Sequence, residues 1–361
     1  MILCESVPSA IYKLSILPTY YIPKDGPLQT YREYISMLPG VDHPEAFGQH
    51  PNADIASQIT ETRTLFDTLL SLQPQVTVTQ GESRESKVLK LAADVLERIP
   101  PNIDYEGTAK ILKDDPSPLN VVLLQEIQRY NFLLEKIRSS LIDLDKGIKG
   151  LVVMSNDLEE IFNCIFDARV PATWQKAYPS NKPLAAWTRD LVQRVDQLEK
   201  WASIAHPPVL FWMSGFTFPT GFLTAVLQQA ARQNNISVDS LSWEFIVSTV
   251  DDNNLVQPPK DGVWVKGLYL EGAGWDKKNA CLIEAAPMEL VCQMPTIHFK
   301  PVENKKKPGK GTYGCPCYYY PNRNGTSDRA SYVVGVDLKG GSFGADHWTK
   351  RGTAILMSLE Y

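Results

Sequence analysis

Residues 119–151 read LNVVLLQEIQRYNFLLEKIRSSLIDLDKGIKGL. Leu123, Ile127, Tyr130, Leu134, Ile137, Leu141, Leu144, Ile148 and Leu151 recur in alternating steps of four and three. Only an α-helix gathers that spacing onto one face. At 1.5 Å per residue the stripe from Leu123 to Leu151 runs about 40 Å. A seam of this kind admits two readings: a self-associating coiled coil, or one long helix laid across a partner surface or its own neighbours. Val122, Phe132 and Leu133 widen the apolar band beyond a strict seam and favour the second.

The same period extends outward in both directions. A short helix is expected over 28–38, after a turn-rich start punctuated by prolines. A second helix, 55–72, would turn Ile59, Phe66, Leu69 and Leu70 to one side. Val88, Leu91, Ala92, Val95, Leu96 and Ile99 mark a third, stopped by Pro100-Pro101. Past the long helix, Asn156 with Glu159 three residues on reads as an N-cap pair, with Leu158, Ile161, Phe162 and Ile165 inward. Helices over 184–205, with Trp187, Leu191, Val195 and Leu198 buried, and over 220–233 complete a helical array.

The period then changes. Residues 241–249, 263–270, 280–284, 295–300, 316–320, 331–338 and 353–359 are rich in Val, Ile, Tyr, Phe and Trp and read as short strands. Thirteen of the 22 glycines fall in 260–361 and supply the turns between them. The expected class is α+β: an N-terminal multi-helix array with one long helix, then a small antiparallel β-barrel or sandwich. The boundary is expected near Gln257-Pro258-Pro259, giving three segments: 1–55, 56–256 and 257–361.

Composition narrows the function classes. With 36 basic and 41 acidic side chains, the net charge of -5 argues against a general nucleic-acid binder. Met1 to Ser6 carry no basic region, so no signal peptide is expected. The uncharged run 201–231 is interrupted by Pro207, Pro208, Gly215, Pro219 and Gly221, which suits a buried core better than a membrane span. Without a secretory signal, the six cysteines read as reduced thiols.

No assembled active site stands out. No G-x-x-x-x-G-K-[ST] loop occurs, and Gly272-Ala273-Gly274 lacks the third glycine of the dinucleotide spacing. Cys315-Pro316-Cys317 with His298 has no second ligand pair for a structural zinc and reads as small residues in a β-turn. The basic run Lys305-Lys306-Lys307 reads as a solvated loop that could touch an acidic partner. No catalytic, cofactor or metal residue is expected, and the nine residues of the long-helix stripe are the candidate packing surface.

Whole segments carry a resemblance. LPTYYIP (17–23) and LPGVDHPEAFGQHPNADI (38–55) resemble the segment ending the sixth AAA module of dynein heavy chains. NVVLLQEIQRYNFLL (120–134), IKGLVVMS (148–155) and FWMSGFTFPTGFLTAVLQQAARQ (211–233) resemble the C-terminal domain of the same family. So do DGVWVKGLYLEGAGWD (261–276), YGCPCYYYPNRNG (313–325) and HWTKRGTAILMSL (347–359), the first two being closer to the axonemal branch. The resemblance covers nearly the whole chain in order.

It implies a helical array and small β-barrel lying over one face of an AAA ring. ATP and Mg would be held in AAA modules upstream, with no cofactor in this chain. The expected function is a non-catalytic module that caps the ring and modulates ATP-driven, minus-end-directed movement of the parent motor. Expected partners are the AAA ring and, through the parent, microtubules and the intermediate, light intermediate and light chains; neither nucleic acid nor membrane is expected. The expected location is the cytoplasm and the ciliary axoneme of the cytoskeleton. The alternative is a stand-alone ciliary adaptor that binds partners through its β-domain.

Overall fold

Helix ends set the frame. The computed structural model describes residues 17, 19–72, 83–180, 182–305, 308–319 and 331–359. Its first four helices are α1 (Leu28–Met37), α2 (Asn52–Leu72), α3 (Arg84–Arg98) and α4 (Tyr105–Ile111). Ser83 caps α3 by accepting from the Ser86 amide, and Asp104 caps α4 by accepting from Gly107. The long helix α5 spans Pro118–Ile148, about 46 Å. Pro118 occupies its first turn, where a missing N–H costs nothing.

Gly150 decides where α5 stops. It adopts φ +72°, the Leu151 amide donates to Lys146 O at 2.9 Å, and the Gly150 amide donates to Gly147 O at 3.0 Å. This is a Schellman ending, which uses orphan carbonyls of the last turn. Leu151 keeps the periodic spacing but lies beyond the helix and is 73% exposed. Leu151 therefore does not join the part of the stripe that this chain buries with its own helices. Gly150→Ala forces a side chain into the left-handed region and is expected to cost about 1–2 kcal/mol, read as a lower thermal midpoint.

Four more helices follow: α6 (Asn156–Phe166), α7 (Ala172–Gln175), α8 (Leu184–Ile204) and α9 (Pro219–Asn234). Ser155, rather than Asn156, caps α6, its hydroxyl accepting from the Leu158 amide at 3.3 Å. A serine at that place puts its oxygen within reach of the third amide, and Asn156 becomes the first helical residue. Helices α3, α4, α6, α7, α8 and α9 all pack against α5. The two residues that lead into α9 are held from α5: the buried Glu126 carboxylate accepts from Thr217 N at 2.7 Å and from Phe218 N, at the N-cap, at 3.3 Å.

The strands are β1 (Leu210–Trp212), β2 (Leu241–Val247), β3 (Val263–Lys266), β4 (Tyr269–Glu271), β5 (Gly274–Asp276) and β6 (Cys281–Ile283). They continue with β7 (Val291–Gln293), β8 (Ile297–Glu303), β9 (Thr312–Tyr318), β10 (Tyr332–Lys339) and β11 (Ala354–Leu356), with the short helix α10 (Ala345–Lys350) before the last. One sheet runs β1-β3-β8-β2 and another β10-β9-β11-β4-β7, while β5 and β6 form a ribbon.

The α+β class holds, with two refinements. The sheets form no closed barrel among the described residues, and β1–β3 and β11–β9 pair in parallel. The sheet unit also begins before 257, because β1 and β2 join the sheet of β3 and β8. Gly267, at φ +75°, separates β3 from β4, so the expected strand 263–270 is two strands in different sheets. No described helix is long and apolar enough to cross a membrane.

Candidate docking and packing surfaces

The long-helix stripe is placed in the core of this chain. Leu123, Ile127, Tyr130, Leu134, Ile137, Leu141 and Leu144 are all fully buried, and Ile148 is half-buried against the same cluster. Burying each such side chain contributes about 1.5–3 kcal/mol. Neighbouring helices of the chain itself cover the stripe, so it is not free to face another molecule. Of the three residues that widen the band, Val122 and Leu133 are buried and Phe132 is exposed.

A buried polar node joins the helical unit to the sheets. Arg194 on α8 is fully buried. Its Nε donates to Asp190 Oδ2 at 2.6 Å, and its Nη1 donates to the Ser214 carbonyl and to Tyr319 Oη, the latter at 3.1 Å. Its guanidinium lies 4.3 Å from the Tyr178 ring centroid and 5.3 Å from that of Trp212. Asp190 also accepts from the Tyr178 hydroxyl and from Lys182 Nζ at 2.9 Å. Burial acts to raise the Asp190 carboxyl, but Arg194, Tyr178 and Lys182 outweigh it and hold the group below its ordinary value.

Around the node, Tyr130 Oη on α5 donates to Gly215 O at 2.8 Å, and the Ser214 hydroxyl donates to the Met357 carbonyl just after β11. The 213–215 turn is thus held by α5, α8 and the sheet unit together. A sequence signal for the node exists. Trp187, Leu191, Arg194, Leu198 and Trp201 follow the same steps of four and three, and all five are buried. A charged residue on an apolar seam marks a buried, partnered charge.

The outer helices behave differently. Every described side chain of α2 from Ser57 onward is exposed, including Ile59, Leu65, Phe66 and Leu69. The side chain of Leu70 lies outside those described. The helix forms over the span the spacing predicts, but no described element covers the face that carries Ile59, Phe66 and Leu69. No residue of α1 is buried either, and Leu28, Ile35 and Met37 stand exposed. A third exposed apolar run is Leu151 to Met154.

The chemistry-bearing residues are held in structural roles. Cys315 and Cys317 are buried in the middle of β9, not in a turn, and burial pushes the Cys317 thiol up to about 12. His298 lies in the other sheet, its Nε2 2.6 Å from Asp261 O and its ring against Trp264. Among the described residues no cluster of three or more His, Cys, Asp or Glu is placed to hold a metal. Gly272, at φ +73°, turns tightly against the Arg351 carbonyl, where a side chain would clash. Lys305 is paired with Asp337 and lies over the Phe245 ring, while Lys306 and Lys307 lie outside the described residues.

The family model for the C-terminal domain of the dynein heavy chain matches residues 59–357. The protein belongs to this family. This dynein C-terminal domain is 74% identical over 357 residues to mouse dynein axonemal heavy chain 2, a match covering 98% of the sequence. The human protein of the same name is 72% identical over 358 residues, covering 99% of the sequence. The dynein-1-beta heavy chain, flagellar inner arm I1 complex, of Chlamydomonas reinhardtii is 53% identical over 351 residues, covering 96%. The domain spans only 8% of the length of each of these relatives.

Proposed function

We propose that this dynein C-terminal domain is a non-catalytic module of an axonemal dynein heavy chain that caps the AAA ring of its parent motor. There it modulates ATP-driven, minus-end-directed movement along microtubules. The observation that carries the reading is the contrast between two helices. The α5 stripe is covered by the chain's own helices, whereas α2 holds Ile59, Phe66 and Leu69 in the open. An amphipathic helix with a bare apolar face is a docking element.

On this reading ATP and Mg are held in upstream modules, and no cofactor resides in this chain. Microtubules and the intermediate, light intermediate and light chains are reached only through the parent. The axonemal and flagellar names of the relatives support a place in the ciliary axoneme.

The test adds the domain in trans to an axonemal dynein motor truncated before the equivalent of Leu17. Saturable association with an altered ATPase rate is expected. The Phe66→Asp/Leu69→Asp variant should keep its melting temperature, since both side chains are exposed. It should bind at least about 30-fold more weakly if these residues anchor the contact. No association of the unaltered domain, or equal association of the variant, overturns the reading.

A further inference from the structure

The arm formed by α2 is fastened to the sheet unit at its base. Asn52, the first residue of α2, is 8% exposed although every described side chain from Ser57 onward is exposed. Its Nδ2 donates to Ala286 O and to Glu289 O, each at 3.0 Å, and its Oδ1 accepts from the Met288 amide at 2.9 Å. One amide side chain thus occupies both carbonyls and the central N–H of the 286–289 turn. Met288 stands at φ +67°, a conformation a methionine rarely adopts, and the contact from Asn52 holds it there.

A second fastening lies a few residues before the first. Arg351, just after α10, donates from Nη1 to Gln49 O at 2.7 Å and to Gly48 O at 3.3 Å. Its Nε and Nη2 hold Glu284 Oε1 at 3.3 and 3.0 Å, and His347 Nε2 lies 2.6 Å from the same oxygen. Arg351 therefore ties the segment before α2 to the residue that opens the 284–289 loop. In both fastenings the contacts that cross from residues 48–52 to the sheet unit have backbone on one side. They fix position and direction without burying much apolar surface.

We infer that Asn52 and Arg351 form a polar joint that makes the base of α2 and the sheet unit one mechanical body. This rests on the reading that α2 docks on the parent ring. A displacement of whatever α2 docks upon then reaches the 284–289 turn and α10 directly. Among the described residues, no side-chain hydrogen bond of 48–52 reaches the helices α3 to α9.

The joint is tested first in the isolated domain, by hydrogen exchange. In Asn52→Ala the Met288 amide and the amides of 48–54 should exchange about tenfold faster, the effect of losing one well-made hydrogen bond. Amides of α5 and α8 should not change. Arg351→Lys, which keeps the charge and removes the fork, should raise exchange in 48–54 alone. Unchanged exchange at Met288 in Asn52→Ala overturns the joint. Transmission is tested in the full motor. The Asn52→Ala motor should reproduce the ATPase change of the Phe66→Asp/Leu69→Asp motor. If the α2 variant alters the rate and Asn52→Ala leaves it unaltered, the joint does not transmit. If neither alters it, the proposed function itself has failed, and the transmission that rests on it falls too.

Discussion

The Ile137→Asp variant is expected to unfold at a much lower temperature than the unaltered domain. Ile137 is fully buried in the middle of α5, beside the equally buried Leu134 and Leu141. An aspartate there must be desolvated inside the hydrophobic cluster, or take up a proton and remain a polar group in apolar surroundings. Either way the cost exceeds about 4 kcal/mol, against a total stability of about 5–15 kcal/mol for a protein of ordinary kind. Ile137→Ala should cost about 2–5 kcal/mol through lost burial and the cavity left behind. Val121→Asp, on the exposed side of the first turns of the same helix, should change stability by no more than about 0.5 kcal/mol. Helical signal during thermal unfolding separates the three. Equal midpoints for Ile137→Asp and Val121→Asp would remove the stripe from the core. The same logic shows that a charge on this stripe cannot serve as a docking probe, because it acts on folding first.

The helical half was legible where one property, burial by the protein's own neighbouring helices, decides the pattern. The α5 seam and the Trp187, Leu191, Val195, Leu198 face of α8 are of this kind. Legibility ends where two signals compete at one place. Leu151 satisfies the spacing, but Gly150 one residue earlier terminates the helix, and backbone geometry prevails. It also ends where the pattern does not name the cover: α2 shows the amphipathic spacing of an inward helix, but nothing within the described residues lies over it.

Long-range pairings were the least readable. Three residues, Leu210 to Trp212, are too few to alternate, and their partner β3 lies more than fifty residues on. Asn52 reads locally as a helix-start residue, whereas its side chain serves a turn 234 to 237 residues away. Arg194 was readable in principle, since it interrupts an apolar seam. A pair at i and i+4 with Asp190 nevertheless looks like an ordinary surface salt bridge until burial is known.

That burial gives the Asp190–Arg194 pair the second large effect. Asp190→Ala leaves the guanidinium of Arg194 fully buried without its carboxylate, and should cost about 3–5 kcal/mol. Arg194→Met should cost less, because Asp190 keeps Lys182 at 2.9 Å and the Tyr178 hydroxyl. Replacing both together, as Asp190→Leu with Arg194→Met, removes the uncompensated guanidinium and should recover part of the loss, while Lys182 and the Tyr178 hydroxyl still lose their acceptor. The pair also carries a pH dependence. The Asp190 carboxyl titrates below its ordinary value in the fold, so its contribution is complete above the unfolded aspartate value of about 3.9. It disappears as pH falls through the lower folded value. The gap in melting temperature between the unaltered domain and Asp190→Asn should therefore be widest near neutrality and close on acidification below that point. A gap that stays constant from neutral to acid pH would mean that Arg194 is held by the Ser214 carbonyl, the Tyr319 hydroxyl and the aromatic rings, with Asp190 incidental to the joint between the helical and sheet units.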